Sequence, residues 1–321
     1  CIELQHLTPP ALLQRYRHLM EKNRSLACSP FLEHVPESLK AIQLERMMIE
    51  RLQEKTERVK RELSGLQWDW DALVYRSLAH YLGAPVNSAA MDLLVEKIPL
   101  KLIMKVHHDP ILLDALILGM SGLIPSDAFD DYTSLLQSNF RQLALKFKLE
   151  AMESFHWKWL RLRPPHFPDL RLAQLSAILQ PNPRLWSRIL EAGQLKDIHA
   201  LLRGRTHPYW DHHFRFSVRS KNKSAEPGVH MREILIINVI CPILFAYGSV
   251  YQQAGCRQKA IELLEKIKPE PNFITSTWKK YNFALIHAGH SQGGIQLYRH
   301  YCTEKKCTSC LIGHEILRHP I

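Results

Sequence analysis

SLKAIQLERMMIERLQEKTERVKREL, residues 38–63, decides the fold class. Read at 3.6 residues per turn, Ile42, Leu44, Met48, Ile49, Leu52 and Val59 fall near one stripe. Glu alternates with Lys and Arg over the rest of the surface, as on a solvated helix face. A strand of period 2 would scatter these apolar residues over both faces. The stretch predicts one long amphipathic helix, with Ser38 placed to cap it.

The same period recurs outward from this helix. Leu12, Leu13, Tyr16 and Leu19 share a face over 11–20. Further helices are predicted over 68–82, 89–98, 100–107, 109–119 and 130–147, punctuated by Gly83, Pro85, Pro99 and Pro110. Pro164, Pro165, Pro168, Pro181 and Pro183 then break the chain, leaving short helices over 170–179 and 185–190. Residues 217–228 read as a polar, basic loop, and 233–251 as a buried helix kinked at Pro242. Helices over 257–267, 273–286 and 293–300 complete the tail. Only Ile2, Leu4 and His6, alternating with Glu3 and Gln5, read as a strand. The expected class is all-α, an irregular multi-helix array with at most a short N-terminal strand. The proline-rich break suggests two helical subdomains, 1–154 and 155–321.

A chain of 321 residues can bury a sizeable core, and 46% hydrophobic with 23% charged residues is ordinary globular composition. Seven irregularly spaced cysteines do not make a disulfide framework, so a reducing cytoplasm is the expected setting. The most apolar run, 234–245, is shorter than the roughly 20 residues that cross a bilayer, so no membrane segment is expected. Position 1 is Cys rather than Met, which suggests a piece of a longer protein. Of the net charge of +11, residues 156–224 carry +9, from 13 Lys and Arg against 4 Asp and Glu.

Two groups of residues can carry function. The first is this basic segment, where cations interleave with Trp157, Trp159, Phe167, Trp186, Tyr209, Trp210, Phe214 and Phe216. Cations draw phosphates and aromatic faces stack on bases, so DNA or RNA is the expected partner. The candidate contacts are Arg161, Arg163, Arg171, Arg203, Arg205, Arg219, Lys221 and Lys223. The bland alternative is a core of aromatics beneath a solvated basic face that docks another protein. The second group is Cys302, Cys307, Cys310 and His314, spaced C-x4-C-x2-C-x3-H. If the segment is helical, the last three share one face. Three thiolates and an imidazole suit a structural zinc tetrahedron. The cysteine spacing also suits an iron–sulfur cluster with Cys256 or Cys241 as fourth ligand, and three reduced, metal-free cysteines are the remaining alternative. The chain has no P-loop, no G-x-S-x-G and no H-E-x-x-H, and no catalytic residue is assigned.

Leu160-Arg161-Leu162-Arg163-Pro164 with His166-Phe167-Pro168, then Asn238 through Cys241-Pro242-Ile243-Leu244-Phe245-Ala246-Tyr247-Gly248, then Tyr301-Cys302, Cys307-Thr308-Ser309-Cys310 and Ile312-Gly313 occur in that order. Together they resemble an uncharacterised bacterial family of unknown function, along nearly the whole chain. The three cysteines match that pattern, and His314 departs from it. The resemblance implies a longer native protein, with a domain similar to a PD-(D/E)XK nuclease before this region. The chain would then be a nucleic-acid-binding accessory region, without activity of its own, that also meets its own missing N-terminal domain. A scaffold with no nucleic-acid role is the alternative.

Overall fold

A computed structural model of the chain describes residues 8–20, 26–127, 130–221 and 223–318. The expected strand at residues 2–6 lies outside them. Among the described residues there are sixteen α-helices and one two-stranded sheet, so the protein is all-α. It divides into two compact units: 1–58 with 245–321, and 59–244. The proline-rich break near residue 155 falls inside the second of these.

In the first unit the anchor is the helix Glu37–Gly65, most of which belongs here. It starts one residue before Ser38, with Leu39 and Lys40 donating to the Pro36 carbonyl. Leu44, Met47, Met48 and Leu52 are buried, whereas Ile42 is 55% exposed. The true stripe is centred on Met47, so Ile42 faces solvent. Leu44 and Met47 join Trp278, Phe283, Ile295 and Ile312 in one core. Gly293 sits against the Leu44 backbone, where a Cβ would collide with its carbonyl oxygen. That close approach explains a glycine inside the helix Ala288–Leu297. Its Gln292 accepts from Arg51 Nε at 2.7 Å and donates to Glu270 at 2.9 Å.

In the second unit the centre is the helix Pro110–Met120, started by Asp109, whose carboxylate accepts from the Ile111 and Leu112 amides. It packs on Asp131–Phe147 and on Pro168–Leu179, in which every residue is buried. Gly204, at φ +48°, lies 2.6 Å (to where its Cβ would be) from the Ala177 carbonyl carbon. Gly204→Ala combines left-handed strain with a backbone collision and is expected to cost about 2–4 kcal/mol, read by denaturant unfolding. A loss under about 1 kcal/mol would show that the turn can relax.

The hydrophobic run near Pro242 forms a continuous helical stretch, Val229–Val250, long and apolar enough by composition to cross a membrane. Two-thirds of its most apolar window is buried inside the protein, as in a core helix. Pro242 has no N–H to offer the preceding turn, and a π-helical turn, Ile236–Ile240, stands there.

Candidate functional site

The basic segment is organised by buried hydrogen bonds. Trp157 is buried and its indole N–H donates to the Ser121 carbonyl at 2.8 Å. Trp159 donates to Asp169 Oδ2 at 2.8 Å, and the other oxygen of Asp169 accepts from the Phe216 amide at 3.3 Å. Asp169 thereby ties the 157–163 stretch to a hairpin, His213–Arg215 paired with Val218–Arg219. Burial pushes the Asp169 carboxyl above the ordinary carboxylate range, against the lowering effect of these donors.

Around this tie the cations sort into two kinds. Arg161, Arg163, Arg205, Arg219 and Lys221 are exposed, and among the described residues none of their side chains makes a hydrogen bond or ion pair. Arg161 stands in the left-handed region at φ 64°, just after Leu160, which is 83% exposed. Arg215, not among the expected contacts, is also exposed and lies 4.7 Å from the centre of the Trp159 ring.

The other cations are engaged. Arg203 is exposed but pairs with Glu226 at 2.8 Å. Lys223 donates to the Trp210 carbonyl at 3.1 Å and sits 3.7 Å above the Phe214 ring. Burial pushes its pKa down. Arg171 does not belong on a binding face. It is 5% exposed, donates to Gln174 Oε1 at 2.7 Å and lies 3.0 Å from His166 Nδ1. Burial lowers its pKa to about 10. Burial first, then Arg171, Arg163 and His230, hold the His166 imidazole below its usual pKa.

Four of the eight aromatics, Trp157, Trp186, Trp210 and Phe216, are core, and the other four are half-buried. Trp186 is buried and stacks on Trp70 at 5.4 Å, and Trp210 is fully buried. Tyr209 stacks on His213 at 3.9 Å, and Trp159 is covered by Arg215. These rings are taken up by the protein itself. What the face offers a ligand is charge.

The C-terminal cysteines occupy a different setting from the one expected. Cys307–Ser309 is a single 3-10 turn, Cys310 is extended at φ −103° and ψ 132°, and a new helix runs Leu311–Arg318. The break at Cys310 removes the shared helix face, and His314 is exposed on the new helix. Cys302 ends a π-helical turn, Tyr298–Cys302, and its carbonyl accepts from the Lys305 amide. A Cβ on Gly313 would collide with the Cys307 carbonyl oxygen, which packs the last helix directly on the turn. Cys241 lies in the other unit, and the Cys256 thiol donates to Gln253 Oε1 at 3.3 Å. Among the described residues no group of three or more His, Cys, Asp and Glu side chains is arranged to hold a metal ion as it stands.

One family model, that of a protein of unknown function (DUF2851), matches residues 1–273. The chain belongs to this family. The DUF2851 match includes the Leu160–Pro168 and Asn238–Gly248 motifs and stops short of Cys302. No curated protein and no solved structure matches the chain.

Proposed function

We propose that this DUF2851 chain is a nucleic-acid-binding module that grips the phosphate backbone of DNA or RNA. The reading rests on one observation: Arg161, Arg163, Arg219 and Lys221 are exposed and unpaired among the described residues, next to the Trp159–Asp169 tie. Cations without carboxylate partners release counterions when they meet phosphates, which is the main source of sequence-independent affinity. The occupation of the aromatics argues for backbone contact rather than base stacking. In this reading the chain is the accessory region of a longer, nuclease-like protein in a reducing cytoplasm. Zinc on the tail cysteines would hold structure and take no part in chemistry.

The test is fluorescence anisotropy with labelled single- and double-stranded oligonucleotides at 50 and 200 mM salt. Wild type is expected to bind at the lower salt and to weaken steeply at the higher. Replacing Arg161, Arg163, Arg215 and Arg219 together by Ala should weaken binding about 100-fold at 50 mM and flatten the salt slope by about 3–4. No binding by wild type at either salt overturns the proposal. Equal binding by the variant moves the basic face to the other role, docking an acidic protein surface.

A further inference from the structure

The second unit holds a cavity of about 330 Å³, whose lining includes Asp114, Ser176, Gln180, Arg205, Thr206 and His207. We propose that this cavity is a nucleotide site, which takes one amine-bearing base against His207 and Asp114 and the attached phosphate on Arg205. The site rests on the nucleic-acid reading above, in that the base comes from a bound strand. A free nucleotide carries the same chemistry.

The fold leaves one ring open here. Gly204 lies against the Ala177 backbone, which brings the residues after it alongside the helix Pro168–Leu179. His207 then starts a pile of rings. It stacks on Tyr132 at 4.2 Å, Tyr132 stacks on Tyr209 at 4.8 Å, and Tyr209 stacks on His213 at 3.9 Å. The Tyr209 amide donates to His207 Nδ1 at 3.2 Å, so the neutral ring carries its proton on Nε2. Tyr132 covers one face of the imidazole. The other face makes no ring contact among the described residues, and the half-buried side chain lines the cavity. A flat base extends such a pile. The phosphate grip needs no ring, and His207 adds a place for one base.

The polar lining is fixed in place and incompletely used. Asp114 is buried and accepts from Ser176 at 2.5 Å and from Tyr132 at 2.8 Å, and Tyr132 accepts in turn from the Trp210 indole at 3.2 Å. These two donors occupy two of about four lone-pair positions on the carboxylate, which leaves acceptors for an exocyclic amine. Thr206 is 8% exposed, and its hydroxyl has no partner among the described residues. Buried polar groups in native proteins are paired, so a hydroxyl left open beside a cavity is placed for something the cavity holds. The Gln180 side-chain amide is also unpartnered among the described residues. Arg205 is exposed at the same cavity, with no acid paired to its guanidinium. A stacking face, amine acceptors and an unpaired cation are the three parts that a nucleotide needs. The volume, near the lower bound of about 300 Å³ for small-molecule pockets, admits one base rather than a base pair.

Single strands of about ten nucleotides, followed by fluorescence anisotropy at about 50 mM salt, test the site. Oligo-dC should bind about tenfold more tightly than an abasic strand of the same length and charge. In His207→Ala the two strands should bind within about twofold of each other. Oligo-dC should also bind about fivefold more tightly than oligo-dT, whose base lacks the amine, and Asp114→Asn should remove that preference. Because His207→Ala can disturb the ring pile, the comparison of strands on the wild-type protein stands by itself. Cytidine monophosphate, titrated calorimetrically, separates the two sources of the base. Equal binding of oligo-dC and the abasic strand by wild type overturns the cavity site and leaves the phosphate grip standing. A preference for oligo-dC over the abasic strand that survives in His207→Ala overturns the stack, and equal binding of oligo-dC and oligo-dT overturns the role of Asp114. Binding of cytidine monophosphate that His207→Ala loses, with no strand bound, keeps the site and overturns the strand reading. No binding of either overturns both.

Discussion

Trp210→Ala should lower the stability of the 59–244 unit by about 3–5 kcal/mol, a fall of about 10 °C in its thermal midpoint. Trp210 is 0% exposed and sits edge-on to Tyr209 at 5.2 Å and to Phe216 at 5.1 Å. Its removal opens a large cavity among aromatic neighbours. It also takes away the indole donor that reaches the Tyr132 hydroxyl at 3.2 Å. That hydroxyl donates to Asp114 Oδ2 at 2.8 Å, so the loss reaches a buried carboxyl. Trp68→Ala, at a position 47% exposed, is the control and should cost about 1 kcal/mol or less. Differential scanning calorimetry of both variants decides. Equal small losses would mean that the site collapses around the missing ring.

Asp114 should make stability depend on pH in the direction opposite to most carboxylates. It is buried in the helix Pro110–Met120 and pushed up to about 6 by burial, only partly offset by hydrogen bonds from Ser176 at 2.5 Å and Tyr132. Arg205 and His207 line the adjoining cavity, of about 330 Å³, and burial holds His207 below its usual pKa. An acid raised in the folded state prefers to be neutral there. Its stabilising contribution is whole below the unfolded value of 3.8 and is lost as pH rises through about 6. The span is worth about 3 kcal/mol. Asp114→Asn keeps the shape and cannot titrate. The stability of wild type relative to this variant should therefore fall by about 2 kcal/mol between pH 4 and pH 7 in urea titrations. A flat difference would show that the carboxylate is held charged by its donors.

Much of the helical framework was readable because it rests on local rules. Asp109 and Asp130 cap the helices that begin at Pro110 and Asp131, and both signals stand in the sequence beside the apolar period they start. The hairpin His213–Arg215 with Val218–Arg219 was not readable, since two or three residues are too few for an alternation to show. Arg171 misled for another reason. Counting charge along a segment cannot tell an exposed cation from one whose helix is buried on every side and whose donors go to Gln174 and His166. Arg215 was passed over because nothing local says that it will lie on Trp159. The core of the first unit shows the limit most plainly. The tail spacing marks Cys302, Cys307 and Cys310, but nothing local says that Cys28, almost a whole chain away, packs against the same core, which only the path of the backbone decides.

That path has a consequence for synthesis. The unit made of residues 1–58 and 245–321 needs both stretches before its core can close. Leu44 and Met47 pack with Trp278, Ile295 and Ile312, all of which emerge from the ribosome after the intervening 59–244. At ribosomal rates that delay is roughly 10–40 seconds. Through it the nascent chain carries an uncovered apolar helix face, and so is a natural client for holdase chaperones during translation.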